Sequence, residues 1–208
     1  RAINVINKPA KVTIENVTAT AKNYVVMMAT SAAGAKLTVN NSDFTGLAVV
    51  NVASEDSNVE INNTKITNVD ANEGENYGAI SIFKTASNAT VVVNGGKVVV
   101  VGDSKAASIG AAGATVTFNG TEGNTEVQTV VAYIGDAGYT TLEEAIKDAE
   151  ASDVVSLISD INASEIITIN KAITLDGNGK TLASTAGRAI NVSGADGVTI
   201  KNLTINAK

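Results

Sequence analysis

The sequence contains no cysteine, histidine or tryptophan, and it has a single proline. The absence of cysteine excludes disulfide bonds and thiolate metal sites. The absence of histidine removes the commonest general base of enzymes. Aromatic residues make up only 3% of the chain, although 44% of it is hydrophobic. Valine, isoleucine, leucine and alanine must therefore fill the core, and β-branched side chains of this kind favour strands.

Positive charge is sparse and scattered along the chain. Fifteen lysines and arginines stand against 21 aspartates and glutamates, which gives a formal net charge of -6. A nucleic-acid-binding surface needs a concentrated stripe of positive charge, so we exclude nucleic acid as a partner. The longest hydrophobic runs are far shorter than the roughly 18 residues that a membrane-spanning helix needs. We therefore predict no membrane span in this segment.

A short pattern recurs along the chain: an apolar-polar-apolar triplet, one further residue, and then asparagine or glycine. Asparagine and glycine adopt a positive φ angle more readily than other residues, so we predict a left-handed bend at each of these positions. Successive triplets in the first half are spaced by about 22 to 32 residues, and other short apolar strands lie between them. The seven predicted bends are Asn16, Asn41, Asn63, Gly95, Gly120, Gly177 and Asn202.

A repeat of this length, with three short strands in each period, predicts an all-β solenoid: a parallel β-helix with three strands per turn. We call each turn a rung. A single rung cannot bury its inner side chains, so stacking of rungs must create the core. We predict continuous rungs over residues 1–127 and again over residues 154–208.

One segment does not follow the repeated strand pattern, and its sequence predicts a helix. A turn-rich stretch over 120–126 is followed by a strand over 129–134 and a tight turn over 135–138. Thr141 and Glu144 then have the spacing of a capping box, and apolar residues recur on one helical face. We predict a short α-helix near 141–150 that caps the rungs after it. We therefore predict that the chain contains parts of two repeat units. Residues 1–127 form the rear part of one unit. Residues 128–208 form the linker strand, the cap helix and the first rungs of the next unit.

The two ends of the chain are closely similar to each other. Residues 1–5 are identical to residues 188–192, and residues 12–18 closely match 198–204. The offsets are 187 and 186 residues, so we expect a tandem array with a repeat of about 187 residues. The rung that joins two such units is predicted to contain Arg1, Ile3, Val5, Arg188, Ile190 and Val192.

The second half resembles a known family. Ala132-Tyr-Ile-Gly-Asp-Ala-Gly-Tyr-Thr-Thr-Leu-Glu-Glu-Ala-Ile146, with residues 153–161 and 166–182, is similar to the head of a pectate-lyase-like right-handed parallel β-helix module. Such modules recur in tandem in large bacterial cell-surface proteins. The resemblance implies that the chain winds into a right-handed parallel β-helix and that the protein is extracellular or at the cell surface. It also implies a ladder of stacked side-chain amides, for which we select Asn16, Asn41, Asn63 and Asn202.

The resemblance raises the question of catalysis. Lyases of this superfamily bind Ca²⁺ through clustered carboxylates and use arginine or lysine as the base. The only metal candidate in the sequence is a weak one, the loop that carries Asp70, Glu73 and Glu75, and its simpler interpretation is a solvated insertion. Hydrolases of this fold need paired acids across a cleft, and the strands carry Thr, Asn, Ser and Val instead. We predict no catalytic residues, no cofactor and no enzymatic activity.

These observations favour a structural function. We expect a stalk or filament-forming repeat of an extracellular bacterial surface protein, whose partners are copies of itself assembled head to tail along the solenoid axis. The alternative is an adhesin module that binds a glycan or a host surface protein. The third interpretation is a polysaccharide lyase.

Overall fold

The computed structural model describes residues 1–7, 10–69, 77–101, 104–135 and 137–208. The chain divides into two compact units, Arg1–Thr129 and Val130–Lys208. The described residues contain about 8 turns of a parallel β-solenoid and a single short α-helix. The predicted fold class, an all-β solenoid of stacked parallel strands with one short helix, is confirmed.

In the first unit, each complete rung gives one strand to each of three parallel sheets. Strands are numbered in chain order. The first sheet contains β1 (Ile3–Val5), β4 (Val26–Met28), β7 (Val50–Val52), β10 (Ile80–Ile82), β13 (Ala107–Ile109) and β16 (Val127–Thr129). The second contains β2 (Lys11–Glu15), β5 (Lys36–Asn40), β8 (Asn58–Asn62), β11 (Thr90–Asn94) and β14 (Thr115–Asn119). The third contains β3 (Thr18–Thr20), β6 (Asp43–Gly46), β9 (Lys65–Asn68), β12 (Lys97–Val99) and β15 (Glu122–Gly123). A 3₁₀ turn spans Thr30–Ala32.

The core of this unit consists of columns of aliphatic side chains. Leu37, Val59 and Val91 are neighbours on successive strands of the second sheet, and all three are buried. In the third sheet, Phe44 lies in register between Ala19 and Ile66. Because apolar surface is buried between every pair of successive rungs, the hydrophobic effect stabilises the stack as a whole.

Residues in the left-handed conformation, with a positive φ angle, occupy six of the seven predicted bend positions. Their φ angles range from 47° to 66°. Such a residue turns the chain sharply between two strands of one rung, and asparagine and glycine tolerate this conformation best. The six residues are Asn16, Asn41, Asn63, Gly95, Gly120 and Asn202.

The seventh prediction, a left-handed bend at Gly177, is wrong. The positive φ angles at this turn belong to Asn178, at 47°, and Gly179, at 76°. Gly177 meets a different requirement, because a Cβ atom there would lie 2.6 Å from the carbonyl oxygen of Asn202 and 2.6 Å from Cβ of Leu203. The next rung approaches the backbone too closely for any side chain at this position.

In the first unit, the asparagine ladder runs one residue earlier than predicted, whereas the amide of Asn202 in the second unit does bond to the rung before it, at Asp176. The amide nitrogen of Asn62 donates to the amide oxygen of Asn40 at 3.0 Å. Asn94 donates to Asn62, and Asn119 donates to Asn94, both at 2.9 Å. These asparagines are the last residues of their strands, where side chains on neighbouring strands stand in register. In the first unit, Asn41 and Asn63 turn the backbone, and the residues before them, Asn40 and Asn62, belong to the ladder.

Asn62→Ala is expected to lower the free energy of unfolding of the first unit by about 1–3 kcal/mol, because it removes the two ladder hydrogen bonds that Asn62 makes with Asn40 and Asn94. Asn119→Ala is the matched control. Asn119 ends the ladder with one bond and is exposed, so its loss should be smaller. Urea unfolding monitored by circular dichroism measures both. Equal losses would show that the ladder contributes nothing beyond the individual side chains.

The second unit begins with an antiparallel hairpin. Strand β17 (Ala132–Ile134) pairs antiparallel with β18 (Ala137–Tyr139) and with β19 (Val154–Leu157). The remaining strands are β20 (Ile161–Ala163), β21 (Ile167–Ile169), β22 (Thr174–Asp176), β23 (Thr181–Ser184), β24 (Ile190–Val192), β25 (Thr199–Lys201) and β26 (Thr204–Ala207). They form parallel rungs: β22 pairs with β19 and β25 with β22, β23 pairs with β20 and β26 with β23, and β24 pairs with β21.

The helix α1 (Leu142–Asp148) contributes Leu142, Ala145 and Ile146 to the core of the second unit. Thr141 is its N-cap, and the Thr141 hydroxyl accepts a hydrogen bond from the backbone N–H of Glu144 at 3.1 Å. The Glu144 carboxylate accepts from the Thr140 hydroxyl at 3.0 Å, where a capping box would have it accept from the Thr141 N–H.

The helix ends earlier than the predicted range of 141–150. The backbone becomes extended at Ala149, and the Lys171 amine donates to the carbonyl oxygens of Lys147 and Ala149. A lysine at this place satisfies carbonyl groups that the last turn leaves without a helical partner. The contact comes from a residue distant in sequence, so the local pattern alone did not set the helix end.

Candidate functional site

The most distinctive surface of the second unit is the edge of its last rung. We call the rung formed by β24, β25 and β26 the terminal rung. Each of its strands lies at the edge of its own sheet. Three strand edges with free backbone groups therefore coincide in a single rung, and such edges are able to pair with further strands.

Aliphatic side chains of the terminal rung are also exposed at this edge. Val192 is 46% exposed, Ile200 is 37% exposed and Ile205 is 45% exposed. An isolated exposed isoleucine needs no explanation. These three lie on three different sheets of the terminal rung, which no later rung of the sequence covers.

The first rung, β1 to β3, is the counterpart of the terminal rung in sequence and in structure. Ile3–Val5 matches Ile190–Val192 strand for strand, and both rungs bend at a left-handed asparagine, Asn16 or Asn202. Their burial differs sharply. Val5 is 5% exposed and Ile14 is 6% exposed, because β4, β5 and β6 cover that rung. The same side chains are thus covered at one end of the chain and open at the other.

The predicted junction residues lie within these two rungs. Arg1 and Arg188 are exposed, each two residues before its strand. Ile3 and Ile190 are half-buried, whereas Val5 is buried and Val192 is exposed. The pairs therefore occupy equivalent places, but the structure does not bring the two rungs together within one unit.

A polar cluster beside the terminal rung centres on Asp176. One carboxylate oxygen accepts hydrogen bonds from the Asn178 backbone N–H and the Asn202 amide, both at 3.0 Å. The other oxygen lies 3.2 Å from the amine of Lys201. The Asn178 N–H, the Asn202 amide and Lys201 together hold the pKa of Asp176 below its ordinary value. The cluster fixes Asn202, the left-handed residue of the terminal rung, to the rung before it.

Asp176→Asn is expected to lower the melting temperature at pH 7, and the difference from the unchanged chain should shrink toward zero as the pH falls to 2. The folded state favours the charged carboxylate, so the stabilisation is present above the ordinary pKa of 3.8 and is lost as the pH falls through the lower folded-state value. Thermal unfolding at several pH values measures this. The exposed Asp196, changed to Asn, is the control, and an equal loss at every pH would contradict the electrostatic explanation.

The weak metal candidate, Asp70, Glu73 and Glu75, lies outside the described residues. Within the described ranges, no group of three or more aspartates and glutamates is arranged to hold a metal ion. The carboxylates of the described rungs instead make isolated pairs, such as Asp43 with Lys65 at 3.3 Å and Glu126 with Lys105 at 2.8 Å. Such exposed pairs contribute little to stability.

Sequence reasoning missed a buried polar column on the first sheet. Asn51, Ser81 and Ser108 occupy the middle positions of β7, β10 and β13, stand in register, and are buried. The Ser81 hydroxyl donates to the carbonyl oxygen of Gly78 at 3.0 Å. The amide of Asn51 makes no hydrogen bond, which is a destabilising arrangement for a buried polar group. The signal in the sequence is a neutral polar residue between two apolar or small residues at the centre of each of these strands.

A groove of about 400 Å³ runs along β20, β23 and β26 of the second unit. Its lining includes Asn162, Ser184, Asn206 and Lys208, together with small alanines and hydroxyl residues. It offers amides, hydroxyls and one amine, with no carboxylate among its lining residues. A pair of acids for glycoside hydrolysis is therefore not built into this groove.

The comparisons with known proteins return no matching family model, no matching curated protein and no matching solved structure. None of the helices in the described part of the chain is long and apolar enough to cross a membrane. The feature of the described residues on which a functional proposal rests is the pair of matching rungs, β1 to β3 and β24 to β26.

Proposed function

We propose that this chain is a structural element of an extracellular or cell-surface bacterial protein, a repeat of a stalk or filament. Copies of it assemble head to tail along the solenoid axis. The observation that carries the proposal is the near-identity of the first rung and the terminal rung, which have closely similar sequences, form corresponding strands and bend at a left-handed asparagine.

The proposed role is mechanical. Successive rungs are joined by parallel backbone ladders in three sheets, and the asparagine ladder adds side-chain bonds in the same direction. Each rung contacts only its neighbours, so an added rung extends the stack without changing the fold. An assembly built in this way can hold a partner at a distance from a surface.

The proposal includes membership of the pectate-lyase-like right-handed class, as in tandem modules of bacterial surface proteins. The similarity of residues 132–182 to the head of such modules supports this, together with rungs of three parallel strands. Assay of the purified chain on acidic polysaccharides with Ca²⁺ tests the lyase alternative, and eliminative cleavage would contradict a purely structural function.

The second candidate function is adhesion to a glycan or a host surface protein. It is favoured by a trio of half-buried aromatic rings in the first unit. Tyr77 packs edge to face against Tyr24, with ring centroids 6.5 Å apart, and against Phe83, at 5.7 Å. Aromatic rings are common in binding surfaces. A glycan array with the unchanged chain and with Tyr24→Ala tests this function separately from assembly.

Head-to-tail assembly predicts that the unchanged chain associates as its concentration rises and that Ile200→Asp abolishes the association. A charge at this edge would have to lose its hydration in the interface, which is strongly unfavourable. Sedimentation velocity over a wide concentration range measures the effect, and electron microscopy should show end-to-end particles.

Val154→Asp is the matched control, since Val154 is 43% exposed and lies on β19, two strands away from β25 in the same sheet. It should leave association unchanged. Circular dichroism checks that both variants keep the fold, and Val192→Asp serves as a second edge variant. An unchanged chain that stays monomeric at every concentration would contradict the proposed assembly.

A further inference from the structure

We propose that Asn119, followed by Gly120, is a site of spontaneous covalent modification, in which the side-chain amide of Asn119 is converted to a carboxylate. The attacking group is the backbone nitrogen of the glycine itself, so the reaction needs only water as a co-reactant. Glycine permits the attack because it has no Cβ atom to obstruct it and its backbone is the most mobile of all residues. The inference does not depend on head-to-tail assembly.

The reaction passes through a cyclic imide. The backbone nitrogen of Gly120 attacks Cγ of Asn119, and a C–N bond forms there as the Cγ–Nδ2 bond breaks. The amide nitrogen leaves as ammonia and takes the proton of the Gly120 N–H. Water then opens the ring. Opening at Cγ gives aspartate, whereas opening at the backbone carbonyl carbon of Asn119 gives isoaspartate, in which the main chain runs through the side chain.

The hydrogen bonds around each asparagine should set the rate of this reaction. The asparagine amide has to leave its partners and turn toward the next backbone nitrogen, and that N–H has to leave its acceptor. Bonds to either group must therefore open first, which slows the reaction. The sequence places glycine directly after asparagine at Asn94, Asn119 and Asn178.

Both groups are held at Asn94. Its amide nitrogen donates to Asn62 and its amide oxygen accepts from Asn119, both at 2.9 Å. The Gly95 N–H donates to the backbone carbonyl oxygen of Asn119 at 2.8 Å. Asn94 thus lies inside the ladder with a strand on either side, and all of these bonds oppose the reaction there.

Asn178 is held in a comparable way. Its amide nitrogen donates to the carbonyl oxygen of Leu157 at 2.9 Å. The Gly179 N–H donates to the carbonyl oxygen of Asn202 at 2.7 Å. The side chain and the attacking nitrogen are therefore fixed to two different rungs, and we expect Asn178 to react slowly.

Asn119 lacks most of this protection. It is the last residue of β14, the edge strand of the second sheet, although β15 to β26 follow it in the chain. Its amide makes a single hydrogen bond, to Asn94. Among the residues that the structure describes, the Gly120 N–H has no acceptor. Asn119 and Gly120 are both exposed, and nothing lies within 4 Å of the place where a Gly120 Cβ would stand.

The modification changes the end of the ladder. A carboxylate has no N–H to donate, so Asn94 loses the bond that it accepts from Asn119. Isoaspartate also lengthens the main chain by one carbon atom just before the left-handed bend at Gly120. Because Asn94 loses a protecting bond, its own reaction should follow that of Asn119.

Peptide mass spectrometry tests the inference on the full-length chain. The chain is incubated in mildly alkaline buffer, because the attacking nitrogen must lose its proton, and in the same buffer with unfolding concentrations of urea. The change from amide to acid is followed at each asparagine, and enzymatic methylation identifies isoaspartate. In the folded chain, Asn119 is expected to react roughly tenfold or more faster than Asn94 and Asn178, which must break additional hydrogen bonds. In urea, the three rates should become similar.

Three results would overturn the inference. The first is equal rates at the three asparagines in the folded chain. The second is a folded chain in which Asn119 does not react. The third is a preference for Asn119 that persists unchanged in urea, because the local sequence, and not the hydrogen bonds of the folded chain, would then decide the order.

Two variants test the ladder as the source of protection. Asn62→Ala removes the acceptor of the Asn94 amide and should raise the rate at Asn94 several-fold. Asn119→Asp reproduces the modified end of the ladder and should also raise the rate at Asn94 several-fold. Thr117→Ala, an exposed change on β14, is the matched control and should leave that rate unchanged. An unchanged rate at Asn94 in either ladder variant, with the fold intact by circular dichroism, would contradict protection by the ladder.

Discussion

Gly96→Ala is expected to destabilise the first unit by about 4 kcal/mol or more, a loss that few single substitutions reach. A Cβ atom at this position would lie 2.2 Å from the carbonyl oxygen of Thr64 and 2.6 Å from its backbone nitrogen. Both are backbone atoms of the rung before, so no side-chain rotation relieves the clash. Gly96 also has φ of 72°, which alanine adopts only with strain.

Gly120→Ala separates these two contributions. Gly120 has φ of 60°, yet nothing lies within 4 Å of the place where its Cβ would stand. This variant should therefore lose only the strain of the left-handed conformation, about 1–2 kcal/mol. Urea unfolding followed by circular dichroism compares the two. Similar losses in both variants would contradict the close approach of the rungs at Gly96.

Phe44→Ala is expected to lower the free energy of unfolding of the first unit by about 3–5 kcal/mol. Phe44 is completely buried, and it is the largest fully buried side chain in the described residues. Its removal leaves a cavity between rungs whose backbone positions are fixed by ladders on both sides, so the site cannot collapse to fill the space.

Phe118→Ala is the matched control for Phe44→Ala. Phe118 lies on β14 at the far edge of the second sheet and is only partly buried. The same change of side chain should cost less there, because solvent already reaches the ring. Chemical unfolding measures both variants, and a Phe118→Ala loss equal to that of Phe44→Ala would show that the interior rungs are not packed more tightly than the edge.

The sequence determined the features that depend on local backbone conformation. A left-handed bend needs asparagine or glycine at the bend itself, so residues such as Asn16, Asn41 and Asn63 could be identified without knowledge of their neighbours. The strand period is equally local, because alternation of apolar and polar residues is visible within five residues. Thr141 could be identified as the helix cap for the same reason. The all-β solenoid with one short helix follows from these signals.

The tertiary structure decided what depends on the register between rungs. In the first unit, the ladder runs through Asn40 and Asn62 and not through Asn41 and Asn63, because Asn40 and Asn62 stand side by side on neighbouring strands. Gly177 is required by the approach of the next rung, a contact between residues about 25 positions apart. The same dependence explains the two nearly identical end rungs. Their sequences specify the same strands, and Val5 is buried because the rung of β4, β5 and β6 stacks on the first rung.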